Sequence, residues 1–372
     1  MRDAGTAAAG VIAANRNNAE GISGINTNTK LLTVPYLTLD FDRSTNRVRT
    51  IFGFSELLEG MNYVLSMKRD HDVNIRVMLI EDMPFSFFPE FQEVIPALGE
   101  NGVLMVWSYT ASNNNNTYVI QTIPTDRNDE PEGGSQDDSS EIDLAAPGLG
   151  IVTTDVQVVN DFDFLGTYRS NTSSFMSAAH VAGAAALLFD HNPELQPLGL
   201  KSLLKQTGDS LATLDNFTNS GKRLNVNNAL NCQFGNPVAE LINAPEDKFK
   251  IIPDIPILLE YAIHDCGLPV ANATITATTS DGALDISLFD NGLDGDRIAN
   301  DGIYTAIWLP QTSTEAITLT IAISSPIQAS QTRRSVVFDD FSAVDIKLDE
   351  LCLLYTSPSP RDQRGSRMPS SA

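Results

Sequence analysis

The chain has 372 residues of which 42% are hydrophobic, enough to bury at least one large core, and its length favours two domains. Its 47 acidic residues against 24 Lys and Arg leave a formal charge of −23, which argues against partners such as nucleic acid or an anionic membrane surface. Cys232, Cys266 and Cys352 are too few for a disulfide framework and lack metal-ligand spacing; a Cys232–Cys266 bridge is open but not readable from spacing. No signal peptide or transmembrane run is visible, since the start, MRDAGTAAAG, has no long apolar core.

In chain order, residues 6–14 are small and apolar enough for a buried helix, residues 30–39 (KLLTVPYLTL) read as a strand, and residues 54–68 as an amphipathic helix. Residues 74–80 (NIRVMLI) form the next expected strand, 88–98 a helix, and 102–107 (GVLMVW) a buried strand. Residues 110–140 turn polar through NNNNT and DEPEGGSQDDSS and read as surface loop. Order returns at 142–148 (IDLAAPG), followed by an alanine-rich helix over 180–188 and a helix from Pro197 that Gly208 would cap. This alternation is the signature of a parallel sheet flanked by helices.

After a Pro-containing stretch, residues 270–278, 303–309 and 316–323 alternate with turn clusters, which indicates a small all-β sandwich over 245–348. The expected division is 1–232, a linker at 233–244, and the sandwich. Residues 353–372 shift to Ser, Pro and Arg without apolar period, resemble translated adaptor sequence, and are set aside as a non-native tail.

The segment YRSNTSSFMSAAHVAG, with HVAGAAALL and DLAAPG, resembles the nucleophile region of subtilisin-like serine proteases (subtilases, peptidase S8). MRDAGTAAAGVIAAN is similar to that family's histidine helix, GVLMVWSYTAS to its oxyanion strand, and RLNVNNALN to its closing helix, so the likeness covers about residues 1–232. It implies an α/β, three-layer subtilisin-like fold, followed here by an immunoglobulin-like sandwich, and a family activity of serine-type endopeptidase acting on peptides or proteins.

Carried over residue by residue, the family's histidine falls at Ala4, its oxyanion asparagine at Ala111 and its nucleophilic serine at Phe175, while its aspartate would precede Met1. The mechanism needs a hydroxyl nucleophile, a base to take its proton and a donor for the oxyanion. Alanine and phenylalanine supply none of these. Ser174, one residue away, is a weak substitute, because a one-residue step on a helix turns the side chain by about 100°. His180 matches a structural histidine, and Gly183, Pro147 and Gly148 match the family's packing positions. The expected function is therefore a subtilisin-like homologue, N-terminally truncated and without activity as the chain stands, retaining a peptide groove along 74–80 and 103–107. The alternatives are a secreted serine endopeptidase whose sequence is truncated or locally garbled, and a surface adhesion or stalk protein acting through the β domain. The resemblance implies secretion or a cell-surface location.

DNGLDGDRIANDG, residues 290–302, resembles an EF-hand loop and also a turn of secreted immunoglobulin-like modules. Asp290, Asp294, Asp296 and Asp301 are its candidate Ca2+ ligands, with a structural turn as the favoured alternative.

Overall fold

The computed structural model describes residues 4–35, 37–42, 47–81, 89–109, 117–132, 141–158, 164–243, 255–279, 285–310, 318–325 and 328–337. Helix α1 (Ala4–Ala13) is followed by a hairpin of β1 (Leu37–Asp42) and β2 (Arg47–Phe52), then α2 (Phe54–Arg69), β3 (Val77–Ile80), α3 (Pro89–Glu100), β4 (Leu104–Ser108), β5 (Val119–Thr125) and β6 (Leu144–Pro147). A second hairpin, β7 (Ile151–Val158) and β8 (Phe164–Asn171), leads into α4 (Ser174–His191), α5 (Pro197–Thr207), the short strands β9 (Asp209–Ser210) and β10 (Lys222–Arg223), and α6 (Val226–Leu230).

The main sheet has the order β3-β4-β5-β6-β10-β9, with β3 to β6 mutually parallel and β10 parallel to β6. Strand β4 shows why three layers form. All five of its residues are buried; Leu104 and Val106 join the core under α1 and α4, whereas Met105 and Trp107 join the core under α2 and α3. A strand with both faces covered has no polar side, so it reads as a continuous apolar run. Small residues let α1 pack closely on its neighbours: a Cβ on Gly183 of α4 would meet the Ile12 Cα of α1 at 3.5 Å, and one on Gly10 would collide with the Thr154 hydroxyl of β7.

Three expectations need correction. Residues 29–35 are irregular, and β1 begins only at Leu37; Pro35, with no N–H to give a ladder, interrupts the apolar run. The stretch 110–140 is not all loop, because β5 runs through it, fully buried between β4 and β6. Its Gln121, Thr122 and Thr125 disguised it, yet Thr122 is satisfied by Ser177 Oγ at 2.8 Å and the Gln121 N–H by Asp143 at 3.0 Å. The alanine-rich helix starts at Ser174, six residues before His180, capped by the Ser173 hydroxyl, which accepts from the Phe175 N–H.

Beyond α6 the chain is antiparallel. Strand β11 (Val238–Asn243), which lies inside the stretch expected as linker, pairs with β12 (Ile257–Asp265), which also pairs with β13 (Leu268–Pro269) and β16 (Ile303–Trp308). Strands β14 (Thr274–Thr279), β15 (Asp285–Leu288), β17 (Thr318–Ser325) and β18 (Gln328–Val337) form a second sheet. Leu259, Tyr261 and Trp308 from one sheet and Ile275, Ala277 and Leu288 from the other share one hydrophobic core. The expected tail, 353–372, lies outside the described residues.

The α/β part and the β part are joined by more than the chain. Cys232 and Cys266 form a disulfide with a Cα–Cα separation of 5.6 Å. Gln206 of α5 donates to the Asn236 carbonyl at 2.8 Å and to the Asp265 carboxylate at 3.0 Å, and accepts from the Cys266 N–H at 2.9 Å. Beneath them lies a buried ionic chain. Lys201 Nζ is 3.2 Å from Asp143, and Lys205 Nζ is 3.4 Å from Asp143 and 2.7 Å from Glu240 of β11. Burial pushes the Asp143 carboxyl up, but the two lysines, the Gln121 N–H and the Asn219 amide outweigh it and hold the group below the usual carboxylate range. Burial likewise lowers Lys205, and Glu240 with Asp143 more than reverses this.

Candidate functional site

The carboxyl end of β3, the start of α1, the β7–β8 hairpin and the first turn of α4 enclose a cavity of about 220 Å3. Its lining includes Ala4, Ala7, Glu81, Asp155, Arg169, Asn171, Ser173 and Met176. Crevices outside the carboxyl ends of parallel strands are where α/β sheets place ligands. The hairpin is held onto α1 by two buried or half-buried hydroxyls: Thr153 Oγ1 donates to the Ala7 carbonyl and Thr154 Oγ1 to the Thr6 carbonyl, both at 2.6 Å.

Two turns fix the base of α4. The Gly148 N–H donates to the Thr125 carbonyl at 3.0 Å, and the Ser173 N–H to the Gly148 carbonyl at 3.1 Å. A Cβ at Gly148 would sit 2.4 Å from Pro124 Cβ, so glycine is needed there for space, and Pro147 closes β6 just before it. His180 donates from Nδ1 to the Met176 carbonyl at 2.8 Å, and burial pulls its pKa below the ordinary value, against the raising effect of the Met176 and Pro147 carbonyls.

The structure brings Ala4 to the same cavity as Ser173 and Met176, residues on either side of the position that the family likeness assigns to the nucleophile. Phe175 turns away from the cavity. The ring is 6% exposed and packs in the core with Ala7, Ala8 and Ala178. Its backbone N–H, which could have faced a developing oxyanion, is bound by the Ser173 hydroxyl at 3.2 Å. Ser174 gives its carbonyl to the Ser177 hydroxyl at 2.6 Å, and no described histidine is hydrogen-bonded to it. His264 lies on β12, next to Ser202 and remote in sequence from α1, while His71 and His191 are exposed. Ala111 lies outside the described residues.

Against known proteins, residues 92–236 match the model of the subtilase family. The chain is 27% identical over 232 residues to a thermophilic serine proteinase of Bacillus sp. (strain AK1), a match covering 62% of this chain and 52% of that one. The α/β part of the chain is thus similar to the subtilases. A second relative, subtilisin-like protease 1 of Plasmodium falciparum (isolate 3D7), is 23% identical over 254 residues, covering 61% of this chain and 34% of its own. The chain thus spans about half the length, or less, of the curated relatives it matches. Among solved structures, a protease from Pseudoalteromonas arctica aligns with a TM-score of 0.45 at 22% identity, over 60% of this chain and 68% of that one. The family is one of peptidases, and the subtilase match lies in the α/β part of the chain, with the carboxyl edge of the cavity built by its α4.

Sequence reasoning missed Glu81, Asp155 and Arg169. Arg169 and Asp155 lie diagonally across the β7–β8 hairpin, with Nε 3.4 Å from Oδ2. No motif marks them; only the register, which sets Thr154 opposite Tyr168 and Thr153 opposite Arg169, reveals the hairpin they share.

In the β part, Asp290, Asp296 and Asp301 have carboxylate oxygens within 4.8 Å of one another, and Asp294 does not join them. Asp294 adopts φ 52°, a left-handed turn position, instead. An all-oxygen set suits a hard cation. Yet the carboxylates already brace the loop: Asp290 accepts from the N–H groups of Asn300, Asp301 and Gly302 at 2.5, 3.2 and 3.0 Å. Asp301 is raised above the usual range by burial first, and then by Asp290 and Asp296.

Proposed function

We propose that this chain is a subtilisin-like serine peptidase homologue that engages peptides without hydrolysing them. The observation that carries this reading is Phe175. At the position of the nucleophile stands a ring with no lone pair, packed into the core, with its N–H spent on the Ser173 cap. Ala4, facing the same cavity, has no atom that can take a proton. Acyl transfer at this site would lack both the attacking oxygen and its base.

A peptide would approach the β3 side of the sheet. Strand β4 is paired on both edges, by β3 and β5, and so is not the groove expected over 103–107. Among the described strands, none pairs with the outer edge of β3, and an open edge accepts an extended segment through main-chain hydrogen bonds. We read the two antiparallel sheets that share a core after residue 237 as an immunoglobulin-like sandwich, and the Cys232–Cys266 bridge as favouring an oxidising, extracellular setting. No described helix is long and apolar enough to cross a membrane.

The test is direct. Purified protein should cleave no member of a fluorogenic peptide set and take no label from a fluorophosphonate serine probe, while binding the same peptides measurably by calorimetry. Hydrolysis that Ser174→Ala abolishes would overturn the reading.

A further inference from the structure

Asn216, Phe217 and Thr218 lie in the connection between β9 and β10, and the packing there gives no reason for the third to be threonine. Thr218 is 2% exposed, and its Oγ1 is buried without a hydrogen-bond partner. Its backbone is already satisfied: the Thr218 N–H donates to the Leu214 carbonyl, and the Thr218 carbonyl accepts from the Gly221 N–H, both at 3.2 Å. A buried hydroxyl with no partner opposes folding, and valine would fill the same space without that cost. What the hydroxyl does supply is a pattern. Asn-X-Thr with X other than proline is the acceptor for an N-linked glycan, and its third position must carry a hydroxyl. Asn216 is exposed on a turn, and its side chain has no hydrogen bond among the described residues.

The same pattern recurs at 115–117, 171–173 and 272–274, but there the fold accounts for the hydroxyl. Thr117 Oγ1 donates to the Ile242 carbonyl at 3.0 Å, Ser173 Oγ accepts from the Phe175 N–H at 3.2 Å, and Thr274 is exposed to water. Only at 216–218 is it left unexplained. The connection that holds Asn216 adjoins β9, the edge of the main sheet opposite β3. Among the described strands none pairs with the outer edge of β9, and a bulky, solvated group beside an open edge obstructs strand addition. A glycan on Asn216 shields that edge and leaves the β3 edge clear.

We propose that Asn216 is an acceptor for an N-linked glycan. This rests on the extracellular reading above, which the Cys232–Cys266 bridge favours. The co-reactant is an oligosaccharide carried on a polyprenyl pyrophosphate. Asn216 Nδ2 bonds to the anomeric carbon of the sugar, and the bond from that carbon to the pyrophosphate oxygen breaks. The pyrophosphate leaves with the electron pair, and the amide gives up one proton. Transfer precedes folding of the segment, so the burial of Thr218 in the finished fold does not hinder it.

The full chain, sent through the secretory pathway of a eukaryotic cell line by an added leader, would be mapped by mass spectrometry before and after peptide N-glycosidase. Asn216 should carry an oligosaccharide mass and become aspartate when the enzyme removes it. Thr218→Ser should keep the glycan, whereas Thr218→Val should lose it, as Asn216→Gln does. Made in the periplasm of a bacterium that adds no glycan, the Thr218→Val chain should melt at the temperature of the unaltered chain or above it. A bare Asn216 on a secreted chain with Cys232 and Cys266 bridged would refute the proposal and leave the extracellular reading standing. A Thr218→Val chain that melts lower would also refute it, by giving the hydroxyl a structural role. A chain retained in the cell with both cysteines reduced would overturn the extracellular reading and the proposal with it.

Discussion

Asp143→Asn removes one charge from the centre of the protein and changes almost nothing in volume. In the folded chain this carboxylate is buried, with Lys201 at 3.2 Å, Lys205 at 3.4 Å, the Gln121 N–H at 3.0 Å and the Asn219 amide at 3.2 Å. Lys205 retains Glu240 after the change, but Lys201 loses its counter-charge and keeps, among the described residues, neutral acceptors such as the Val119 carbonyl 2.7 Å away. An uncompensated buried ammonium of this kind costs about 3–5 kcal/mol. For an α/β unit of this size that corresponds to a drop of roughly 6–20 °C in melting temperature. Urea unfolding at pH 7 followed by circular dichroism measures it, and the loss should persist at high salt because the pair is shielded from solvent ions. Asp143→Asn/Lys201→Met should recover part of the stability, since it removes the stranded charge. The pH sign follows from the depressed Asp143 pKa: its contribution is present above the unfolded value near ~4 and is lost as pH falls through the lower folded value, so the variant should show a flatter acid limb. A loss below about 1 kcal/mol, or a double variant less stable than the single one, would refute the view that these charges act as one unit.

Phe175→Ser should yield a protein with no peptide hydrolysis, because Ala4 still offers no base; it should also lose about 3–5 kcal/mol, as a core aromatic is removed, so a melting curve must accompany the assay. Substantial turnover from that single change would contradict the reading. Cys232→Ser/Cys266→Ser opens a loop of 34 residues and should cost about 3–4 kcal/mol on chain-entropy grounds, visible as a reductant-sensitive melting temperature that the variant lacks. Asp290→Ala strands three backbone N–H groups and should lower stability by about 1–3 kcal/mol equally in calcium and in chelator, since those bonds involve no ion. His264, buried on β12, has its pKa lowered by desolvation to about 4. Its unfolded counterpart binds a proton first, so stability should fall as pH drops from ~6.5 toward about 4, and His264→Gln should lessen that slope.

How much of this was legible depends on how local the cause is. The helix α4 and the turn before it were readable because HVAGAAALL and DLAAPG carry their pattern within a few residues, and small side chains are what close helix packing demands. Strand β5 was not, because its polar Gln121 and Thr122 look solvent-facing until Asp143 and Ser177 arrive from 22 and 55 residues away. The candidate site divides in the same way. That Ala4 and Phe175 stand where the resemblance places the base and the nucleophile is read from residue identity, whereas the placing of Glu81, Asp155 and Arg169 around one cavity has no motif and depends on a hairpin folded against α1.

The sequence by itself determined the α/β alternation and the family likeness, with alanine and phenylalanine at the positions that likeness assigns to base and nucleophile, since periodicity and residue chemistry are properties of short segments. Tertiary structure alone decided that β4 has no free edge, that Cys232 meets Cys266, that Asp294 stands apart from the other three aspartates, and that Phe175 points into the core. Each of these depends on contacts between distant parts of the chain, such as the Thr153 hydroxyl bound to the Ala7 carbonyl 146 residues earlier. No local pattern encodes such a pairing, because its energy is realised only when the intervening layers have packed.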